Sequence, residues 1–318
     1  MTATASPDLS VILGSLSLHN PLLAASGCFG YGTEYDDVAD RDNLGGFITK
    51  SISLAPWKGN DPPRLTEVSP GLLNSIGLAN MGVEKFANEV APQIVTGKSK
   101  AIVSVACKVM EEYEEVVALL EDVEGIAGYE LNISCPNVKE GGMAFCLNPN
   151  ITEELVARVR KRTNRWITTK LTPNMTSVSQ GALASEAGGA DAVSLINTLV
   201  GMAVDWKSRR PKLATITGGY SGPPIKPVAL AKVWEVWNAV KIPIIGIGGI
   251  TNWKDVVEFM IVGASAVQIG TALYADPNLP GQIAADLREY MRNEGVGSLS
   301  ELTGSLKTDR GAMVGVPA

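Results

Sequence analysis

Short apolar, β-branched runs alternate along this chain with segments of helical period, the pattern that argues for βα units around a parallel sheet. Candidate strands are PLLAAS (21–26), GGFITK (45–50), AIVSVAC (101–107), YELNIS (129–134), WITTKL (166–171), ADAVSLI (190–196), PIIGIG (243–248) and SAVQIG (265–270). Helices are expected near 33–41, 82–95, 111–122, 152–163, 177–188, 227–240, 252–262 and 279–293. In the fourth, Thr152 followed by Glu153 and Glu154 places an N-cap and early acidic residues where a helix start wants them. Eight strands each followed by a helix is the count of an α/β (β/α)8 TIM barrel, whose closure removes sheet edges. An open doubly wound sheet is the alternative, but no GxGxxG follows the first strand.

SVILGSLSL alternates and turns at Gly14, which predicts an N-terminal β-hairpin over the barrel's N-terminal mouth. The connections 51–81 and 197–226 are far longer than usual, and long loops in a compact domain are usually functional. They are expected over the C-terminal face. The reading is a single domain over 1–318, with a core of about 9–293 and a polar, Gly-rich tail, 294–318, that is mobile in part.

Composition narrows this further. The 318 residues are 45% apolar and 19% charged, with 33 Gly and 18 Pro, which suits a compact enzyme and not a disordered or fibrous chain. A net charge of −6 speaks against a broad surface for nucleic acid or anionic membrane. Cys28, Cys107, Cys135 and Cys146 include no CxxC pair, so neither a disulfide scaffold nor a zinc or iron–sulfur site is expected. With His19 the only histidine, a Ser-His-Asp triad or a His-rich metal site is excluded by count, if His19 sits at the far barrel end in a structural role. MTATASPDLS is no signal peptide, and no apolar run approaches the ~18 residues of a membrane span. A cytoplasmic protein is expected.

A barrel carries its chemistry at the C-terminal strand ends. These are Ser26-Gly27, Lys50-Ser51, Cys107-Lys108, Ser134-Cys135-Pro136-Asn137, Lys170, Asn197-Thr198, Gly248-Gly249 and Gly270-Thr271. Gly248-Gly249 and Gly270-Thr271 have the place and chemistry of a phosphate site, and Gly218-Gly219 with Ser221-Gly222 could close the same cradle. Lys50 and Lys170 end apolar strands, a costly position for charge. Either they form structural ion pairs at the rim, or they face a ligand that becomes anionic, such as a reduced flavin. Cys135 is flanked by Asn132, Ser134 and Asn137, groups that suit a polar planar ligand. In a site without histidine its tunable thiol is a plausible proton acceptor.

ELNISCPN, KEGGMAF, INTLVGM, GGYSGPPIKPVAL, IIGIGGI and ASAVQIGTA, in this order and spacing from about Leu9 to about Leu287, resemble class 1 dihydroorotate dehydrogenases. The resemblance implies an FMN-binding barrel that oxidises dihydroorotate to orotate in pyrimidine biosynthesis. By it, Cys135 resembles the base that removes the C5 proton while hydride passes from C6 to flavin N5. Asn74, Asn132, Asn137, Asn197 and Thr198, with the Ile76-Gly77-Leu78 backbone, resemble the pyrimidine-binding groups. Lys50 would lie between substrate and flavin, and Lys170 near flavin N1. Ala25, Ser26, Gly27, Ser51, Asn132, Ile196, Gly222, Gly248, Gly249, Gly270 and Thr271 resemble the remaining FMN contacts.

Quinone-linked relatives carry an N-terminal membrane-associating extension and a serine base, and neither is expected here, with Cys135 at the base position. PNVKEGGMAF is similar to the NAD-linked class 1B form more than to the fumarate-linked 1A form, which stays the alternative. Class 1B implies a homodimer of this chain that recruits an electron-transfer subunit holding FAD and a 2Fe–2S cluster, a heterotetramer. One departure is Cys146, where related chains usually carry glycine. On the residues alone, a flavin-free phosphate-sugar isomerase or aldolase using a lysine, or a non-catalytic binding subunit, remains open, because barrels host many chemistries.

Overall fold

A computed structural model of the protein describes residues 7–94, 97–134 and 146–308. The chain opens with the expected hairpin: β1 (Val11–Leu13) pairs antiparallel with β2 (Leu16–Leu18) across Gly14, whose φ of 63° suits a residue without Cβ. Leu13, Leu16 and Leu18 insert among Leu23, Ile48, Ile102, Trp166 and Ile245, and Trp166 Nε1 donates to Leu13 O at 2.7 Å. The hairpin therefore stoppers the barrel at its N-terminal mouth.

The barrel itself is β3 (Leu22–Ala24), β4 (Gly46–Ile48), β7 (Lys100–Val105), β8 (Ile126–Asn132), β9 (Trp166–Leu171), β10 (Ala192–Leu195), β15 (Ile244–Ile247) and β16 (Ala266–Ile269), all parallel and closed from β16 back to β3. Each predicted strand is present. Parallel barrel strands are covered on both faces, so they read as continuous apolar runs.

The intervening numbers belong to the two long connections. β5 (Leu65–Glu67) and β6 (Leu72–Asn74) come from 51–81, and β11 (Leu199–Met202), β12 (Val204–Asp205), β13 (Arg210–Pro211) and β14 (Thr217–Ser221) from 197–226. They are not bare loops. β11, β14, β6 and β5 form one antiparallel sheet, so the two connections fold as a single lid.

Outer helices Met110–Leu120, Pro149–Arg160, Ser179–Ala187, Lys226–Trp237, Trp253–Ile261 and Leu279–Glu294 fall where the periodicity put them. The helix near 82–95 is Val83–Lys85, a π turn at Phe86–Val90, and Ala91–Ile94. Two expectations need correction. The helix expected at 33–41 is absent: Glu34 Oε2 accepts from Tyr31, Gly32 and Thr33 N–H, which fixes a turn, and a short 3-10 helix follows at Arg41–Asn43. Asn148, not Thr152, caps the fourth helix, with Pro149 at its first position; Thr152 is buried inside the first turn, its hydroxyl on Asn148 O. Of the tail, Leu299 and Leu302 are buried and Gly304 N–H bonds Met260 O at 3.0 Å, while 309–318 lie outside the described residues.

Candidate active site

The barrel lumen is layered. Its floor is the apolar cluster around the hairpin; above it lie Glu130, Thr168 and Gln268, and then Ser194, Asn132 and Lys170 toward the mouth. Strand alternation puts these polar groups on the inner face, one residue in two, while Tyr129, Leu131, Ile167 and Leu171 face the helices.

At the mouth, amides and hydroxyls from the ends of β4, β7, β8, β9 and β10 form one chain. Ser51 Oγ meets Ser104 Oγ at 2.9 Å and accepts from Asn132 Nδ2 at 3.2 Å. Ser134 Oγ donates to Asn132 Oδ1 at 3.2 Å, and Asn197 Nδ2 donates to Ser134 Oγ at 2.9 Å. Asn197 Oδ1 then accepts the Thr198 N–H, and Asn174 Nδ2 donates to Thr198 O at 3.0 Å. The lid closes on this chain. Asn74 Nδ2 donates to Gly219 O at 3.3 Å, and Gly219 lies so close to Thr198 Oγ1 that no larger residue fits there. Gly77 has φ 71°, and a Cβ on it would stand 2.6 Å from Asn60 N, so the Ile76-Gly77-Leu78 turn needs glycine at its centre. Leu78 itself is left-handed at φ 56°.

The two lysines differ. Lys50 is half-buried with Nζ 5.8 Å over the Tyr31 ring, and burial pulls its pKa down, against the opposing charge of Glu34 and with that of Arg64. Lys170 Nζ stands 3.7 Å from Glu130 Oε1, both side chains buried, so for Lys170 the structural ion pair exists. Its position at the mouth is unaltered by that pairing.

On the opposite side, Thr271 Oγ1 donates to Ser221 Oγ at 2.9 Å, and Gly249, at φ 73°, packs against Gly222 O and Pro223 O. Gly222, Gly248, Gly249, Gly270 and Thr271 thus come together as one cradle. The expected third glycine cluster is split: Ser221 and Gly222 belong to the cradle, whereas Gly218 and Gly219 lie in β14 against Asn74 and Thr198. Ala25 N–H bonds Ile269 O across the barrel seam, Ser26 Oγ donates to Thr49 O, and Ile196 N–H bonds Ile247 O. Among the described residues, chain neighbours aside, no atom lies within 4 Å of where a Cβ on Gly27 would stand, and beside Gly270 the nearest is Cys28 Sγ at 3.5 Å. The first and last strand ends therefore border open volume. Cys135 and Asn137 lie outside the described residues. His19 is far from this face, its Nε2 3.0 Å from Asp42 O.

Sequence reading missed Glu130, Ser194 and Gln268, which stand in the same alternation as Asn132 and Lys170 and could have been found by it. It also missed Asn174, which sits in the loop after β9 with no periodic signal.

The family model described as dihydroorotate dehydrogenase matches residues 8–291. The chain belongs to the dihydroorotate dehydrogenase family. Among curated relatives of this dehydrogenase family, it is 47% identical to a protein of Geobacter sp. (strain M21) over 95% of this chain and 99% of that one. The Geotalea daltonii relative is 48% identical over 95% and 99%, and one from Bacteroides fragilis (strain YCH46) 47% identical over 94% and 99%. All three are named dihydroorotate dehydrogenase B (NAD(+)), catalytic subunit. Among the described residues no helix is long and apolar enough to cross a membrane.

Proposed function

We propose that this chain is a catalytic subunit that oxidises (S)-dihydroorotate to orotate in de novo pyrimidine biosynthesis, with electrons passing through a partner subunit to NAD+. The observation that carries this reading is the continuous amide and hydroxyl chain Ser51–Asn132–Ser134–Asn197–Thr198 at the mouth of a barrel of this family. Each amide presents both donor and acceptor, as the imide groups and carboxylate of the pyrimidine require. The lid sheet pairs Asn74 with Gly219, which lies against Thr198 at the end of that chain, and the Ile76-Gly77-Leu78 backbone that follows Asn74 would complete the pyrimidine contacts.

The family implies a flavin, and the donor set fits FMN. Gly222, Gly248, Gly249, Gly270 and Thr271 would hold its phosphate, with Ala25, Ser26, Gly27, Ser51, Ile196 and Lys170 along its ring. FMN, when bound, supplies the acceptor for the hydride leaving C6. Cys135 would take the C5 proton, so that the C5–C6 double bond forms as both hydrogens depart. Asn137 would complete the pyrimidine contacts, and Lys50 would stand between substrate and flavin. For the assembly, the reading is a homodimer carrying an FAD and 2Fe–2S subunit in the cytoplasm. Exposed Val200, Met202, Val204 and Trp206 on the β11–β13 arm, with Trp206 79% exposed, support a surface that another chain covers.

Purified and supplied with FMN, the protein should absorb near about 450 nm and bleach when dihydroorotate is added without oxygen. Cys135→Ser should slow that bleaching strongly at neutral pH, because a hydroxyl is a far weaker base. Unchanged bleaching kinetics remove Cys135 from the base role. Absence of bound flavin, or borohydride trapping of a lysine adduct, overturns the dehydrogenase reading in favour of an aldolase-type barrel.

A further inference from the structure

Below the mouth, the lumen holds a carboxylate that the roles above leave unused. Glu130 is completely buried on β8. Its Oε2 accepts from Ser194 Oγ on β10 at 2.9 Å and from Gln268 Nε2 on β16 at 2.7 Å. β16 stands opposite β8 in the closed order, so the second bond crosses the lumen and the carboxylate is held from two sides. Among the described residues Oε1 accepts no hydrogen bond, and it faces Lys170 Nζ at 3.7 Å. Strand register sets Lys170 beside Asn132 and Ser194, one layer above Glu130.

Burying such a pair is costly, and well-packed apolar residues of similar volume often serve stability as well or better. The floor of this same barrel is packed that way. A charge pair one layer higher, with one oxygen tied down and the other turned to the ammonium, therefore points to a role beyond packing.

We propose that Glu130 is a positioning residue that holds the Lys170 ammonium in place and offsets part of its field at the mouth, and thereby lowers the redox potential of the flavin bound above it. The inference rests on the flavin reading just given. An uncompensated ammonium at the mouth would favour the negative charge that the cofactor gains on reduction and so raise its potential. A carboxylate buried 3.7 Å from that ammonium offsets part of this field, because Coulomb interactions between buried groups are screened less than in water. A lowered potential suits a subunit whose relatives are named for NAD(+).

The test is anaerobic dye-linked titration of the FMN-loaded full chain, comparing wild type, Glu130→Gln, Lys170→Met and the double variant. Glu130→Gln should raise the midpoint so that the reduced-to-oxidised ratio at fixed potential rises tenfold or more, about 30 mV for a two-electron couple. The double variant should match Lys170→Met, since Glu130 acts through Lys170. An unchanged or lowered midpoint in Glu130→Gln, or the same rise in the Lys170→Met background, overturns the inference. If Glu130→Gln does not fold, Glu130→Asp, whose carboxylate is drawn back by one methylene, should show a smaller rise, and a midpoint equal to wild type then counts against it. Wild type that takes up no FMN overturns the flavin reading itself; loaded wild type with an equal Glu130→Gln midpoint overturns only this inference.

Discussion

Two glycines of the cradle differ in what a methyl group would meet, and that difference separates folding from ligand binding. Gly249 sits at φ 73°, and a Cβ there would stand 2.9 Å from Lys226 Cβ and 3.0 Å from Pro223 O. Gly249→Ala should therefore destabilise the FMN-free chain by about 1–3 kcal/mol through backbone strain and crowding. Gly270 needs no positive φ, and its nearest neighbours, Cys28 Sγ at 3.5 Å and Ala25 Cβ at 3.7 Å, are at ordinary contact distance. Gly270→Ala should leave the unfolding of the FMN-free chain within about 0.5 kcal/mol of wild type. Its loss should appear in the cofactor, as weaker quenching of FMN fluorescence on titration. Equal FMN affinity in Gly270→Ala would take the last strand end out of the phosphate cradle.

At the scale of elements, the cradle is braced from behind by a helix start. Asn252 caps Trp253–Ile261, accepting from Lys254 and Asp255 N–H, while Asp255 Oδ2 accepts from Thr251 and Asn252 N–H. Asp255 Oδ1 also takes Lys226 Nζ at 2.6 Å, tying the helix after β14 to the helix after β15. Burial alone would push the Asp255 carboxyl up, but the Lys226 ammonium and the Thr251 donors outweigh it and hold the pKa below the usual carboxylate range. A carboxylate with a depressed folded-state pKa contributes stability that is fully present above its unfolded value, near 4, and is lost as pH falls through the folded value. Asp255→Asn should thus lower the melting temperature at neutral pH, by about 1–3 kcal/mol in stability, and the gap to wild type should narrow below about pH 4. A gap that stays constant into acid would mean that the carboxylate charge contributes nothing. Elements of this kind were unevenly legible in the sequence. The barrel strands and Gly248-Gly249 announce themselves locally, as doubly buried runs ending in turns. The lid strands do not: Leu65–Glu67 and Leu199–Met202 are half-exposed, and Asn74 finds its β14 partner Gly219 145 residues away. Asn148-Pro149 was a readable cap and first-turn pair that the acidic residues after Thr152 obscured.

Across the whole molecule, the placement of the cysteines bears on where electrons go after the barrel. An iron–sulfur cluster takes four thiolates converging on one point. Among the described residues Cys28 follows β3, Cys107 follows β7 and Cys146 precedes Pro149–Arg160, each at a different place in the fold. Burial pushes the Cys107 and Cys146 thiols up, away from the thiolate form that a metal needs. On the proposed reading, the amides, hydroxyls and two lysines at the mouth are taken up by the pyrimidine and the flavin. The isolated chain with FMN should therefore pass electrons from dihydroorotate to a soluble dye yet reduce NAD+ at a small fraction of that rate. Adding the co-purified partner should restore NAD+ reduction while leaving the dye rate within about twofold, a difference of only ~0.4 kcal/mol in barrier. Stopped-flow absorbance at the flavin band and at the reduced nicotinamide band reads both. Fast NAD+ reduction by the chain alone would place the whole electron path inside one barrel, and efficient use of fumarate without a partner would move the chain to the fumarate-linked form.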